Sequence, residues 1–142
     1  MIAATIYFYD YTQKMVDVHG DLPWSAAGML SANGGDYLAS LPKYDKAQDI
    51  YTKMLDDLKA FSTELNGLTI PAAIQTAFNT QDFILKGNKT HWTRYCNSLR
   101  LRMLTRVSGS TEFSARAASE ISAMAAAPAI GGGVDNCGSL PS

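Results

Sequence analysis

The chain has 142 residues and a formal net charge of -1, with 46% hydrophobic and 18% charged residues. This length suits one compact unit, and the apolar content is too high for a largely disordered chain. The near balance of charge gives no long-range field to attract a polyanion, so we expect no nucleic-acid partner.

The first eighteen residues admit two interpretations. Ile6 to Tyr9 are strand-prone, whereas the wider stretch to Val18 suits a helix buried on several sides. The helical character of the rest of the chain favours the helix. The apolar run is too short for a membrane span, and it lacks the basic flank of an export signal.

The stretch from Gly20 to Tyr44 reads as a long irregular connection. It contains Pro23, Pro42 and the pair Gly34-Gly35, all of which interrupt regular structure. Connections of this length are more often functional than merely connective.

The clearest helix is predicted from Asp45 to Asn66, where apolar residues recur at helical spacing and the opposite face is charged. Asp45 followed by Gln48 suits a reciprocal N-terminal cap. Asn66 followed by Gly67 suits a C-terminal stop. The apolar face comprises Ala47, Ile50, Tyr51, Met54, Leu55, Leu58, Phe61 and Leu65.

A second predicted helix begins near Thr90, whose hydroxyl suits an N-terminal cap, and continues through Val107. Its apolar residues do not lie on one face only, so we expect it to contact neighbours on two sides. Four arginines spread around it and form no basic patch. Arg100 and Arg106 lie on or beside the apolar face, where we expect them to meet carboxylates or helix carbonyls.

Two shorter helices complete the prediction. Pro71 suits the first position of a helical segment through Phe78, because its missing amide would be unpaired there anyway. An alanine-rich helix is predicted from Ser110 or Thr111 to about Ala126, ended by Pro128.

Helices joined by turns, with no convincing strand, predict an all-α fold in which paired helices form a bundle or short solenoid around one long irregular loop. The predicted helical segment covers residues 1–130, and a glycine-rich tail covers residues 131–142. No repeat of fixed period is visible.

The sequence offers no convincing catalytic group, metal site or cofactor site. His19 and His91 lie far apart and outside metal-ligand spacing. Asp17, His19 and Asp21 form a chelate-like triplet, although a polar turn gives the same letters. Cys96 is expected to be a buried, unreactive thiol. We therefore expect no enzyme activity, no bound metal and no cofactor.

Aromatic and polar residues share the irregular connection. Trp24 and Tyr37 lie there with Asp21, Asn33 and Asp36. Flat rings beside amide and carboxylate groups suit a sugar, because a ring stacks on its apolar face while polar groups bind its hydroxyls. The alternative is a loop pinned by a buried tryptophan.

Three stretches together resemble the SusD-like outer-membrane nutrient-binding lipoproteins. The first is Gly20-Asp21-Leu22-Pro23-Trp24, and the second is Pro42-Lys43-Tyr44-Asp45 with the helix that follows it. The third and most specific stretch contains Asp82, Gly87, Trp92, Asn97, Arg100 and Arg102. Asn88 departs from the aspartate that is usual in the family.

The resemblance implies helix pairs of tetratricopeptide-like type that form a scaffold. It also implies a non-enzymatic protein of the outer membrane that binds a glycan or other nutrient and passes it to a TonB-dependent transporter of SusC-like type. Family members are several times longer, so the resemblance implies an internal fragment without the lipidated cysteine. Exposed apolar surface on such a fragment predicts a homo-oligomer. The alternative function is a stand-alone helical protein-interaction module.

Overall fold

The computed structural model describes residues 1–126, and within that range the regular structure is helical. The α-helices are α1 (Ile2–His19), α2 (Ala47–Gly67), α3 (Ala72–Gln81), α4 (Lys89–Val107) and α5 (Ser114–Ala126). The predicted all-α class is confirmed. The predicted stop at Pro128 and the predicted tail at residues 131–142 lie outside the described residues.

The core is built around the contact between α2 and α4, the most extensive contact between two helices. Ile50, Met54 and Leu58 are fully buried on the predicted apolar face of α2. They belong to one hydrophobic cluster with Leu99 and Met103 of α4. Each such side chain contributes about 1.5–3 kcal/mol when it is removed from water. The face of α2 that the periodicity predicted to be apolar is therefore the face that is buried in the core.

The first segment is a helix, as the sequence favoured, but only one of its faces is buried. Ile6, Tyr9 and Val16 of α1 point into the core. Phe8 and Met15 lie on the opposite, exposed face. The expectation of burial on several sides is wrong within residues 1–126, because α1 contacts both α2 and α4 from its one buried face, through Tyr9 and Asp10.

Two helix starts differ from the sequence prediction. Asn88, and not Thr90, caps α4, since its side-chain oxygen accepts a hydrogen bond from the His91 amide at 3.1 Å. The last helix begins at Ser114. Ser110 instead closes the end of α4, because its hydroxyl donates to the Val107 carbonyl at 3.0 Å. Polar residues near a helix end can serve either helix, and the sequence does not say which.

The helix after Pro71 is longer than predicted. It begins at Ala72, with Pro71 at the N-cap position, and continues to Gln81. No residue of α3 is buried. It therefore lies on the surface of the bundle, attached chiefly through Phe78, which packs against the core.

The predicted irregular connection is confirmed. Between α1 and α2 the chain forms turns, a single 3-10 turn at Leu38–Ser40 and one isolated antiparallel bridge between Leu22 and Asp45. Among the described residues, no helix is both long enough and apolar enough to cross a membrane.

Candidate functional site

The two ends of the irregular connection are joined by a clasp, which we define as the reciprocal contacts of residues 21–25 with residues 45–47. The Leu22 amide donates to the Asp45 carbonyl at 3.1 Å, and the Asp45 amide donates to the Leu22 carbonyl at 2.8 Å. The segment between them therefore leaves and rejoins the bundle at one fixed place.

Aspartates at both ends of the clasp accept hydrogen bonds from the opposite end. The Asp45 carboxylate accepts from the Trp24 amide at 3.1 Å and from the Ser25 amide at 2.6 Å. Asp21 accepts from the Ala47 amide at 2.9 Å and so caps α2. The predicted cap of α2 by Asp45 and Gln48 is wrong, because the Asp45 carboxylate is committed to the loop. The Ser25 amide is the main reason why the pKa of Asp45 is lowered.

Trp24 lies at the base of the loop. Its ring is partly buried and packs against the core, with its centroid 6.1 Å from that of Tyr9 in α1. This position fits the alternative of a loop pinned by its tryptophan.

The other three predicted ligand residues lie together farther along the loop. The Asn33 side-chain amide donates to the Ala39 carbonyl at 3.1 Å, and Asp36 accepts from the Ala39 amide at 3.1 Å. Tyr37 follows directly and is 68% exposed. The structure thus divides the five predicted residues into a basal pair, Asp21 and Trp24, and a cluster formed by Asn33, Asp36 and Tyr37.

Two further exposed apolar residues of the same loop were not among the predicted ligand residues. Leu38 and Tyr44 are among the most exposed large apolar side chains of the described chain. They follow no helical or strand period, and Tyr44 was named only as part of the Pro42-Lys43-Tyr44-Asp45 stretch and not as a ligand residue. A count of apolar residues inside the irregular connection would have found them.

A second cluster surrounds Asp82, in the turn between α3 and α4. One carboxylate oxygen accepts from the amides of Ile84 and Leu85 at 3.0 and 3.1 Å. The other accepts from the Gly87 amide at 2.9 Å and from the Trp92 indole nitrogen at 2.6 Å. Both oxygens are therefore fully engaged in holding this turn against α4.

Gly87 completes that turn in a position that excludes side chains. Its φ is +67°, and a Cβ atom there would lie 2.7 Å from the Asn79 amide nitrogen. Its carbonyl accepts from the Gln75 side chain of α3 at 2.9 Å. Gly87 thus joins the turn to α3, while Asp82 and Trp92 join it to α4.

The remaining signature residues extend from α4 to three other helices. Asn97 accepts from the Ser62 hydroxyl of α2 at 2.7 Å. Arg100 forms a buried ion pair with Glu120 of α5 at 2.5 Å. Arg102 donates to Gln13 of α1 at 2.9 Å and also pairs with Asp10.

These pairings favour the ionised carboxylates. Burial acts to raise the pKa values of Asp10, Asp82 and Glu120, but hydrogen bonds outweigh it and the net pKa shifts are downward. The main donors are Tyr95 for Asp10, Trp92 for Asp82 and Arg100 for Glu120. Arg100 therefore meets a carboxylate, as predicted, and Arg106 meets Asp17 at 3.3 Å on a more exposed surface.

The chelate-like triplet is not assembled. Asp17 accepts from the Tyr51 hydroxyl at 2.5 Å, and Asp21 caps α2. Within residues 1–126, no group of three or more potential ligand side chains is placed to hold a metal ion.

Cys96 is buried against the Leu58 carbonyl, and burial raises the pKa of its thiol to about 12, which disfavours the reactive thiolate.

The comparisons with known proteins identify the family. A SusD-like family model, described as starch-binding and associating with the outer membrane, matches residues 1–137. No match was found among curated proteins or among solved structures. Because the match extends over nearly all of the chain, the chain belongs to the SusD-like family, a family of binding proteins associated with the outer membrane.

Proposed function

We propose that this chain is part of a glycan-binding protein that works with a TonB-dependent transporter of SusC-like type. The observation that supports this proposal is the family match over residues 1–137. In this proposal residues 1–130 form the helical scaffold and carry the loop that contacts ligand. The protein binds and releases its ligand and makes or breaks no covalent bond.

The internal contacts of the α4 signature support a scaffold role. Asp82, Trp92, Arg100 and Arg102 direct their polar atoms towards other parts of the same chain. Groups that are already paired in this way are poorly placed to receive a sugar hydroxyl, because each would first have to break an existing hydrogen bond. The signature therefore maintains the arrangement of helices.

The exposure of Tyr37 supports the proposal that the loop contacts ligand at this residue. This ring is exposed, and its neighbour Asp36 is held by the Ala39 amide. A ring presented to solvent can stack on the apolar face of a sugar. Asn33 and Asp36 fix the backbone around the ring and keep unused lone pairs for hydroxyl groups. Asp21 and Trp24 act more remotely, by fixing the base of the loop.

Calorimetric titration with maltooligosaccharides tests the ligand part of the proposal. We expect saturable binding that Tyr37→Ala weakens by at least about tenfold. Phe83→Ala is the matched control, because Phe83 is also a strongly exposed aromatic residue but lies outside this loop. If the parent and Tyr37→Ala bind with equal affinity, Tyr37 is not part of the site. If no glycan produces a heat of binding, this chain does not bind such ligands.

A helical protein-interaction module is the second candidate function. It is favoured by an apolar groove of about 400 Å³ between α1 and the turn after α3, lined in part by Tyr7, Phe78 and Phe83. The genes next to the coding sequence distinguish the two candidate functions. A neighbouring gene for a TonB-dependent transporter is expected only for the glycan-uptake function.

A further inference from the structure

The part of the irregular connection beyond the clasp, which we call the outer loop and define as residues 26–40, makes its hydrogen bonds internally. Every hydrogen bond that the outer loop forms with another described residue has its partner within residues 24–40. Residues 25–39 are all exposed. Neither burial nor hydrogen bonding to a helix therefore sets the direction in which the outer loop projects from the bundle.

A tight turn gives the outer loop a geometry of its own. The Gly35 amide donates to the Leu30 carbonyl at 2.9 Å, and the Gly34 amide donates to the Ser31 carbonyl at 3.3 Å. Gly34 has a φ of +63°. These two hydrogen bonds and the left-handed glycine are the features of a Schellman motif. The backbone around Asn33 is therefore ordered by the outer loop itself and not by the helices.

The outer loop is restrained where it begins, by the carboxylate of Asp45. One carboxylate oxygen accepts from the amides of Trp24 and Ser25, and the other accepts from the Ser25 hydroxyl at 2.8 Å. The three donors come from two consecutive residues. Because hydrogen bonds are directional, they fix the orientation of both peptide groups immediately before the outer loop.

The returning side of the connection offers no comparable restraint. Residues 41–44 form no backbone-to-backbone hydrogen bond with another described residue. The bridge between Leu22 and Asp45 then closes the connection through backbone groups alone. The Asp45 side chain is therefore the polar group that links the start of the outer loop to the start of α2.

We propose that the outer loop is one preformed unit and that Asp45 is its positioning residue, whose carboxylate restrains the unit against the bundle. Loss of the carboxylate releases the outer loop but leaves its internal turn intact. It also leaves α2 capped, because the cap comes from Asp21. Such a local opening requires no unfolding of the helices. No ligand is needed for this behaviour, so it is independent of the proposed glycan binding.

Amide hydrogen exchange of the full chain, followed by NMR, tests the proposal. In Asp45→Ala the Leu22 amide keeps its own acceptor, the backbone carbonyl of position 45. We nevertheless expect it to exchange at least about tenfold faster, because the clasp opens more often without the carboxylate. The amides of Asn33 and Gly35 should keep their protection, and so should the amides of α2 and α4.

Two further variants separate hydrogen bonding from general effects of charge. Asp45→Asn supplies a carbonyl oxygen with two lone pairs for the amides and an NH₂ group for the Ser25 hydroxyl, so it should retain most of the protection at Leu22. Asp49→Ala is the matched control, because Asp49 lies four residues later, in the first turn of α2. It should leave exchange at Leu22 unchanged.

Unchanged exchange at Leu22 in Asp45→Ala would overturn the proposal, as would an equal increase in Asp49→Ala or in Asp45→Asn. Exchange at Asn33 and Gly35 that accelerates as much as at Leu22 would show that the outer loop is not preformed. Faster exchange throughout α2 and α4 would show that Asp45 stabilises the bundle and does not position the loop.

Spin labels measure the direction of the outer loop itself. Leu38→Cys and Lys59→Cys place the labels at exposed positions of the outer loop and of α2, in a Cys137→Ser background where Cys96 is buried. Double electron–electron resonance should give a narrow distribution of distances for this pair and a broader one when Asp45→Ala is added. Equal widths would show that the carboxylate does not fix the direction of the loop and would overturn its positioning role.

Discussion

Gly87 occupies a site where both the backbone conformation and the space exclude any other residue. Its positive φ is unfavourable for residues with a Cβ atom. A Cβ atom would also lie within 3 Å of the backbone of Asn79, which α3 holds in place. The turn that Asp82 organises therefore depends on glycine at this position.

Gly87→Ala should lower the free energy of unfolding by about 2–4 kcal/mol, through strain in the left-handed region and a backbone clash. Gly34→Ala separates these two effects, because Gly34 has a φ of +63° and open space around it. We expect that control to lose only about 1 kcal/mol. Urea unfolding of both variants measures the difference, and equal losses would show that the clash with Asn79 is absent.

Two ion pairs of α5 illustrate how burial decides the strength of similar contacts. The Glu120 side chain is 12% exposed and binds both Arg100 and Arg116. The Asp56 side chain is 61% exposed and binds only Arg116. Water and salt weaken the exposed pair, whereas loss of the buried carboxylate leaves Arg100 without a counter-charge.

Glu120→Gln should therefore destabilise the protein by about 3 kcal/mol, and Asp56→Asn by less than about 1 kcal/mol. Thermal unfolding at neutral pH compares the two substitutions, which both replace a carboxylate with an amide. If Asp56→Asn is as damaging as Glu120→Gln, then the Arg100 pair is not a main contact between α4 and α5.

At the scale of elements, α1 is held by tyrosine–aspartate hydrogen bonds to both neighbouring helices. Tyr9 of α1 donates to Asp57 of α2 at 2.6 Å. Tyr95 of α4 donates to Asp10 of α1 at 2.5 Å. Burial, and then the hydrogen bond to an aspartate, raises the pKa of each tyrosine above its usual value. The attachment of α1 therefore requires neutral tyrosines and ionised aspartates.

This requirement predicts loss of stability at both extremes of pH. The pKa values of Asp10 and Asp57 are lowered in the folded chain, so their contribution is present above the unfolded value of about 4 and is lost as the pH falls below it. The tyrosine pKa values are raised, so their contribution is present below about pH 10 and is lost as the pH rises above it.

Unfolding by urea between about pH 3 and pH 11 measures both losses. The double variant Tyr9→Phe/Tyr95→Phe should be less stable at neutral pH but should show a smaller further loss between about pH 9 and pH 11. An unchanged alkaline slope in this variant would mean that the two tyrosines do not control the attachment of α1.

The helices themselves were predictable because their signals are local. The helical spacing of Ile50, Met54 and Leu58 lies within α2 itself, so it can be recognised without knowing which helix packs against α2. The cap of α2 was not predictable, because Asp21 comes from 26 residues earlier in the chain. The same limit applied to α1, whose helical state was predicted but whose exposed face depends on where α2 and α4 pack.

The candidate site was predictable only in part, for a related reason. The sequence placed Trp24 and Tyr37 in one irregular segment, but that segment has no period from which to infer which ring is buried. The structure shows Trp24 at the core and Tyr37 in solvent. The signature residues could be identified from the sequence, but their partners could not, since Arg102 meets Asp10 across 92 positions of the chain.

At the scale of the whole molecule, the proposed roles are separated between a scaffold and a loop. The α4 helix connects to α1, α2, α5 and the Asp82 turn through its signature residues. The clasp between Leu22 and Asp45 fixes the loop to that scaffold. In the proposed function, this separation would let the loop contact ligand while the arrangement of helices stays the same.

In the proposed function, ligand contacts the loop, whereas the α4 signature holds the helices together. Amide chemical-shift mapping during a maltooligosaccharide titration distinguishes these two roles. We predict shifts concentrated at Asn33, Asp36 and Tyr37, with the amides of Trp92 to Arg102 unchanged. Saturable shifts confined to Trp92 to Arg102, with the loop unchanged, would contradict it.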